Sequence, residues 1–441
     1  MRKVDVVIIG GGAAGMSAAI NLYDSNVKNL LIIERNHKLG GILNQCIHTG
    51  FGLEYFKEDL TGPEYASKLR AQVGSKKIPY MLNSSVVNLT AEKILTVSSK
   101  LNGVEQMQAR AVLIATGCRE RTRENIQVAG TRPAGVFTAG QAQNLININN
   151  YKIGNKVIIQ GSGDIGLIMA RRLSIEGYKV VKVLERDRFL YGLIRNKVQC
   201  LDDYGIPIDF NKEIVEIKGK NRVTGVSVYD LDNKTYEDYE CDTVLFAVGL
   251  IPELELAKKA GVSLVDNFSP CVNAGYETSV SGVFVCGNSL HIHDLVDSVS
   301  VEAETVSEKI SEYISDENGF KTRVDKSKSI EWKNTEKNYD KTFFEKNHDK
   351  KVCIVCPKSC LIDEETYGCK AGLEYLRTES ESKPRTFTTT INKMPVRTKG
   401  QVALSDFYNL KSLLKNMGDL DKDSFVVNYE QQKIEFNAIL D

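Results

Sequence analysis

Along the first thirty-five residues, apolar and polar positions change rhythm in a fixed order. Val4 to Ile9 is a short, almost uninterrupted apolar run, which predicts a strand buried on both faces, and Gly10, Gly11 and Gly12 stop it. Gly12 to Met16 begins a predicted helix rich in Ala, Ile, Leu and Met, and a second predicted apolar strand ends on the carboxylate of Glu34. The same order returns in NKVIIQGSGDIGLIMARRLSIEGYKVVKVLER, which starts at Asn155. Gly10, Gly12, Gly15 and Glu34 recur there as Gly161, Gly163, Gly166 and Glu185, each 151 positions on, and Arg35 recurs as Arg186. A constant register over strand, glycine turn, helix and strand predicts two copies of one βαβ unit, each building a parallel sheet.

The glycine spacing carries chemistry. In such a turn Gly10 permits the tight bend, Gly12 lets backbone approach a pyrophosphate, and Gly15 lets the helix pack on the strand. The helix that follows, through Ala13 and Ala14, points unpaired N–H groups and a positive dipole end at the phosphates. Glu34, nineteen residues after Gly15, stands where a carboxylate can accept hydrogen bonds from ribose hydroxyls. The second copy, with Asp164 and Ile165 in its turn, predicts a second dinucleotide. Glu185 would repel a 2'-phosphate and so favours NAD over NADP, although Arg186 and Arg188 could offset that.

A chain of 441 residues is too long for one hydrophobic core, so two to four domains are expected. Equal numbers of basic and acidic residues, 57 each, argue against a nucleic-acid partner. The start Met1-Arg2-Lys3 precedes an apolar run broken by Asp5 and ended by glycines, which reads as no export signal. No stretch approaches the roughly 18 apolar residues of a membrane span. Both point to the cytoplasm. From Ser311 to Lys351 the sequence is crowded with Lys, Asp, Glu and Asn and is expected to be a linker; TFTTTI, further on, suggests a short strand.

Ten cysteines without an export signal argue for thiols, metal ligands or redox chemistry. Cys46, Cys118, Cys200, Cys241, Cys271 and Cys286 stand singly, whereas Cys353, Cys356, Cys360 and Cys369 crowd into seventeen residues as C-x2-C-x3-C-x8-C. Four thiolates at that spacing can converge on one centre, and both zinc and an iron-sulfur cluster accept them.

Three further motifs accompany the repeat: Ala115-Thr116-Gly117, Ala247-Val248-Gly249, and GVFVCGN ending at Gly287-Asn288. With them, residues 1 to about 310 resemble the pyridine nucleotide-disulfide oxidoreductases and thioredoxin reductases, flavoproteins with two dinucleotide-binding domains. The resemblance implies an α/β fold of two Rossmann-like domains, the FAD domain interrupted by the NAD domain, plus a small C-terminal cysteine-cluster domain. The implied boundaries are 1–120 and 249–312 for FAD, 121–248 for NAD(P), 313–350 for the linker and 351–441 for the cysteine domain. It assigns FAD to Gly10, Gly12, Ala13, Ala14, Gly15, Glu34, Arg35, Gly41, Val86, Ala115, Thr116, Gly117, Gly287 and Asn288. It assigns NAD to Gly161, Gly163, Asp164, Ile165, Gly166, Glu185, Arg186 and Gly249. Asn288 stands where that superfamily usually has Asp, which keeps an acceptor oxygen and loses a charge.

The redox-active cysteine pair of the disulfide reductases is missing. Cys46, with His48 near it in LGGILNQCIHTGFG, is a candidate nucleophile or proton donor, against the alternative of a buried packing thiol. His291 and His293 are candidates for approach to the flavin, against a structural role. The segments LGGILNQCIHTGFGLEYFKEDLTGPEY, ATGCRERTR and CGNSLHIHDLVDSVS narrow the resemblance to the oxidoreductases that accompany anaerobic glycerol-3-phosphate dehydrogenase. That implies a partner flavoprotein dehydrogenase that oxidises the organic substrate, while this chain exchanges electrons with NAD. The cysteine group resembles the iron-sulfur segment of molybdopterin oxidoreductases, with a shortened loop before Cys369. An iron-sulfur cluster is therefore favoured over zinc. The alternative is a self-contained NADH-dependent flavin reductase whose C-terminal domain is a zinc-stabilised docking module. A homo- or hetero-oligomer is compatible with either.

Overall fold

The computed structural model describes residues 1–265 and 269–315, and beyond them a set of strands between residues 351 and 438. It divides into two compact units, one of Met1–Arg121, Gln143–Lys152 and Gly249–Asn338, the other of Thr122–Ala142, Ile153–Val248 and Tyr339–Asp441. The cysteines Cys353, Cys356, Cys360 and Cys369 lie outside the described residues, so the predicted cluster does too.

In the first unit the strand Arg2–Ile9 lies parallel to Leu30–Ile33 on one side and to Gly103–Ile114 on the other. Tyr80–Met81 extends the sheet at the Leu30–Ile33 edge, and Val283–Val285 pairs parallel with the end of Gly103–Ile114. The start of that same strand pairs antiparallel with Ile94–Ser99, which pairs with Ser84–Leu89. Both faces of the sheet are covered, which is why the strands read as continuous apolar runs. Val6 and Ile8 face the helices Ala13–Asp24, Gly62–Ser75 and Val296–Ser315; Val7 and Ile9 face the opposite way, toward Leu95, Val97 and Leu254.

The helix Val296–Ser315 runs into the polar stretch that is expected to be a linker from Ser311 on. Its composition is polar, but Val299, Ala303, Val306 and Ile310 recur at helical spacing and are buried against the first core. Periodicity outweighs composition there.

The second unit repeats the arrangement. Lys156–Gln160 lies parallel to Lys179–Leu184 and to Thr243–Phe246, with Ile208–Asp209 and Val136–Thr138 at the two edges. Ile158, Val244 and Phe246 pack on Ile214, Ile217, Val226 and Val228 of an antiparallel sheet formed by Lys212–Gly219, Val223–Asp230 and Thr235–Glu240. In the C-terminal region the Thr-rich stretch falls in the strand Arg385–Ile391, which pairs antiparallel with Leu373–Thr378.

Candidate functional site

Each unit carries one glycine turn, and the two turns are built alike. In the first, the Gly10 amide donates to Ile33 O at 2.9 Å, and the Ala115 amide donates to Ile9 O at 2.9 Å. In the second, Gly161 N donates to Leu184 O at 2.8 Å and Ala247 N to Gln160 O at 2.8 Å. The turn thus sits where the central strand and both its neighbours end, on the carboxyl edge of each sheet.

The glycines divide by what surrounds them. A Cβ on Gly10, whose φ is +108°, would fall 2.9 Å from the Ala115 carbonyl carbon and would overlap its oxygen. One on Gly15 would overlap the Gly10 carbonyl, as one on Gly166 would overlap that of Gly161. These positions are closed by the protein itself. Gly12 and Gly163 are different: a Cβ there meets nothing within 4 Å. Each is the N-cap of its helix, Ala13–Asp24 or Asp164–Ile175, and neither helix start has a side-chain cap. Open space above uncapped N–H groups is what a diphosphate requires, so the residues fit the nucleotides the sequence predicts. Gly41 adds a second glycine wall, since a Cβ there would approach Gly12 Cα at 3.1 Å.

Glu34 and Glu185 do something the spacing does not reveal. Glu34 is 4% exposed; its Oε2 accepts from the Gly11 amide at 2.8 Å and its Oε1 from the Asn36 amide at 2.8 Å. Glu185 Oε2 accepts from Ser162 N at 2.8 Å and Ser162 Oγ at 2.7 Å, and Oε1 accepts from Asp187 N at 3.1 Å. Each carboxylate braces its own glycine loop and keeps lone pairs over for a ribose. The residue after Gly10 or Gly161 is the missed signal.

Around these turns the other predicted positions take clear places. Thr116 Oγ1 donates to Glu253 O at 2.9 Å, and Gly117 N donates to Ser289 Oγ at 2.8 Å, which ties Ala115-Thr116-Gly117 to the returning chain. The Gly287 amide donates to Glu302 Oε1 at 2.6 Å. Asn288 Oδ1 accepts from His293 N at 3.0 Å, and its amide nitrogen faces Cys118 Sγ at 3.6 Å. Arg35 is exposed, and Val86 is half-buried against the second face of the first sheet. Asp164 Oδ1 accepts from Leu193 N and Asn196 Nδ2, both at 2.7 Å, and Ile165 is half-buried. Arg186 pairs with Glu213 at 3.2 Å and Arg188 with Asp232 at 2.8 Å. Gly249 is exposed and groups with the first unit, where its carbonyl accepts from Arg121 N at 3.0 Å.

Cys46 follows the one-turn helix Gly41–Gln45. Its segment is held by Gln45, which accepts from Asn144 Nδ2 at 3.0 Å and donates to Gln143 Oε1 at 3.0 Å. The thiol lies 3.7 Å from Gln143 Oε1, and burial pushes its pKa up to about 12. At neutral pH it is a protonated thiol, a donor and not a thiolate nucleophile. His48 is half-buried, with Nδ1 3.0 Å from Thr49 O and its ring 4.9 Å from that of Phe51. The Cys46 thiol also donates to Ile42 O at 3.4 Å. Every cysteine among the described residues is free. Also among the described residues, no helix is long and apolar enough to cross a membrane.

Comparison with known proteins agrees with this geometry. The chain is 30% identical over 295 residues to the CoA-dependent NAD(P)H sulfur oxidoreductase of Pyrococcus abyssi, covering 65% of this chain and 62% of that protein. It is 27% identical over 320 residues to hydrogen cyanide synthase subunit HcnB of Pseudomonas protegens, covering 66% and 65%. The chain thus spans somewhat under two thirds of these relatives' length. Its fold is similar to that of T. acidophilum thioredoxin reductase, with a TM-score of 0.60 at 24% identity over 71% of this chain and 99% of that one. A family model described as pyridine nucleotide-disulphide oxidoreductase, for whose members FAD and NAD(P) are typical, matches residues 4–306. With two braced glycine turns on two parallel sheets and a match over most of its length, this chain belongs to the pyridine nucleotide-disulphide oxidoreductase family.

Proposed function

We propose that this chain is an FAD-dependent oxidoreductase that exchanges hydride with NAD(H) and passes electrons to or from a partner dehydrogenase, of which glycerol-3-phosphate dehydrogenase is one candidate. The observation that carries the reading is the pair of identical open turns at Gly12 and Gly163: one chain offers two diphosphate sites and the sequence holds no dithiol near either. The flavin, when bound, would supply the conversion between two-electron and one-electron transfer. The chain's own part is to hold each diphosphate on helix N–H groups, to fix the turns through Glu34 and Glu185, and to keep the Cys46 proton in place.

The four thiols of Cys353, Cys356, Cys360 and Cys369 would hold the iron-sulfur cluster that takes the single electrons onward. A similar protein described as a subunit of hydrogen cyanide synthase supports a chain that works beside a partner. NAD is the preferred nucleotide, because Glu185 lies at the second turn and both nearby arginines already have carboxylate partners. Under anaerobic conditions NADH should bleach the flavin band at about 450 nm. Replacing Cys356 by Ala should remove bound iron and leave the flavin. If NADH leaves the band unchanged the reading is wrong, and if iron survives the substitution the cluster assignment is wrong.

A second reading has support in the similar proteins described as sulfur oxidoreductases: a self-contained NADH-dependent reductase of a small acceptor, with Cys46 and a zinc-stabilised docking module. Repeated turnover of such an acceptor by the purified chain alone, with zinc in place of iron, would favour it.

A further inference from the structure

Directly after Gly287-Asn288 the chain reads Ser289-Leu290-His291-Ile292-His293, and the helix Val296–Ser315 brings Glu302 against both histidines. His291 Nδ1 lies 3.6 Å and His293 Nε2 3.3 Å from the same oxygen, Glu302 Oε2. One ligand atom from each of the three residues can be chosen so that all lie within 4.8 Å of one another. A tetrahedral ion with metal–ligand bonds of about 2.0–2.2 Å places neighbouring ligands about 3.3–3.6 Å apart, so the two measured edges match that polyhedron.

The surroundings point the same way. The other carboxylate oxygen, Glu302 Oε1, is held by the Gly287 amide at 2.6 Å, which aims Oε2 at the imidazoles as an outer hydrogen bond aims a metal ligand. His293 and Glu302 side chains are only 10% and 8% exposed, and His293 Nε2 is buried with no hydrogen-bond partner. The two rings tilt against each other at 4.0 Å between centroids, which keeps both imidazoles beside the one carboxylate. Such a nitrogen beside a buried carboxylate offers a lone pair to an incoming cation.

We infer that His291, His293 and Glu302 bind a divalent first-row transition ion of the zinc class, leaving a fourth position for water. Two imidazoles and one carboxylate disfavour magnesium and calcium, which take oxygen ligands. The site is independent of the four-cysteine group and of which electron partner the chain serves.

The test uses the full-length flavoprotein carrying Cys353→Ser, Cys356→Ser, Cys360→Ser and Cys369→Ser, so that those thiolates cannot take the metal. After loading with Zn2+ and desalting in the presence of excess Mg2+, it should retain one zinc per chain. Adding His293→Gln or Glu302→Gln should weaken retention at least tenfold while flavin absorbance persists. Zinc absent from the four-serine protein, or unchanged in both further variants, overturns the inference. Should those variants lose flavin, His291→Asn decides: Zn2+ must raise the melting temperature of the four-serine protein but not that of the His291→Asn version, and equal shifts overturn it.

Discussion

Gly12→Ala separates a glycine required by the fold from one required by a ligand. Gly12 has φ −76° and ψ −166°, an extended conformation open to alanine, and its Cβ would meet nothing within 4 Å. Restricting the unfolded chain should stabilise the apoprotein by about 0.4–1 kcal/mol. Alanine is a poorer N-cap than glycine, which offsets this by an amount of the same order, so the apoprotein should stay within about 1 kcal/mol of the parent. The same methyl, however, stands where backbone must approach the diphosphate. Losing one charge-assisted bond there costs about 1.5–3 kcal/mol, or a 10- to 150-fold weaker flavin complex. The flavin-to-protein absorbance ratio and a fluorescence titration of apoprotein read the affinity, and thermal melting of apoprotein reads the fold. Gly15→Ala is the contrast, since its Cβ overlaps the Gly10 carbonyl; it should destabilise by at least the 1–3 kcal/mol typical of overpacking. A Gly12→Ala protein that binds flavin like the parent, or that melts as low as Gly15→Ala, would refute the division.

The remaining expectations concern the second turn and the thiols. Glu185→Gln puts an NH2 group against a backbone N–H in either amide orientation, so the Ser162 loop should loosen by about 1–3 kcal/mol. The KM for NADH should rise while flavin content holds; simultaneous flavin loss would show that the two turns are not separate sites. With Arg186 and Arg188 paired to Glu213 and Asp232, kcat/KM for NADH should exceed that for NADPH at least tenfold, and Glu213→Gln with Asp232→Asn should narrow the gap. Equal use of both nucleotides by the parent would count against that pairing. Burial raises the Cys46 and Cys241 thiols to about 12 from an ordinary value of 9.0. The unfolded chain then releases protons near pH 9 that the folded chain keeps. Stability is complete below pH 9 and falls between 9 and 12 by about 1.4 kcal/mol per pH unit for each thiol. Cys46→Ala should flatten that slope in denaturant titrations, and an unchanged slope would show that the thiol is not shielded.

What could be read along the chain was whatever is local or repeated. The Gly10–Gly15 and Gly161–Gly166 turns, their strands and their helices follow from hydrophobic spacing within thirty residues, and the structure has them where the spacing puts them. Glu34 was legible as the acidic end of a strand but not as the brace of Gly11, because that bond depends on where a loop twenty-three residues away passes. The Cys46 thiol meets Ile42 O four residues back at 3.4 Å, but also Gln143 Oε1, 97 positions distant, at 3.7 Å, and no periodicity links that second pair. His291 and His293 stand out as a pair, yet their common partner Glu302 sits among four other acidic residues on a polar helix and carries no mark of its own. The polar composition that hid the end of that helix also hid its apolar stripe.

The first unit is assembled from three separate stretches of chain, and this bears on the order in which a ribosome can deliver it. Residues 153–248 of the second unit emerge as one block, so its parallel sheet can close early through Thr243–Phe246. The first sheet must wait for Val283–Val285, and Gly287 cannot meet Ala14 or Glu302 until the helix Val296–Ser315 is made. During synthesis, then, the amino-terminal glycine turn is the first to be written and the last to be finished, with an unpaired strand edge exposed in the interval.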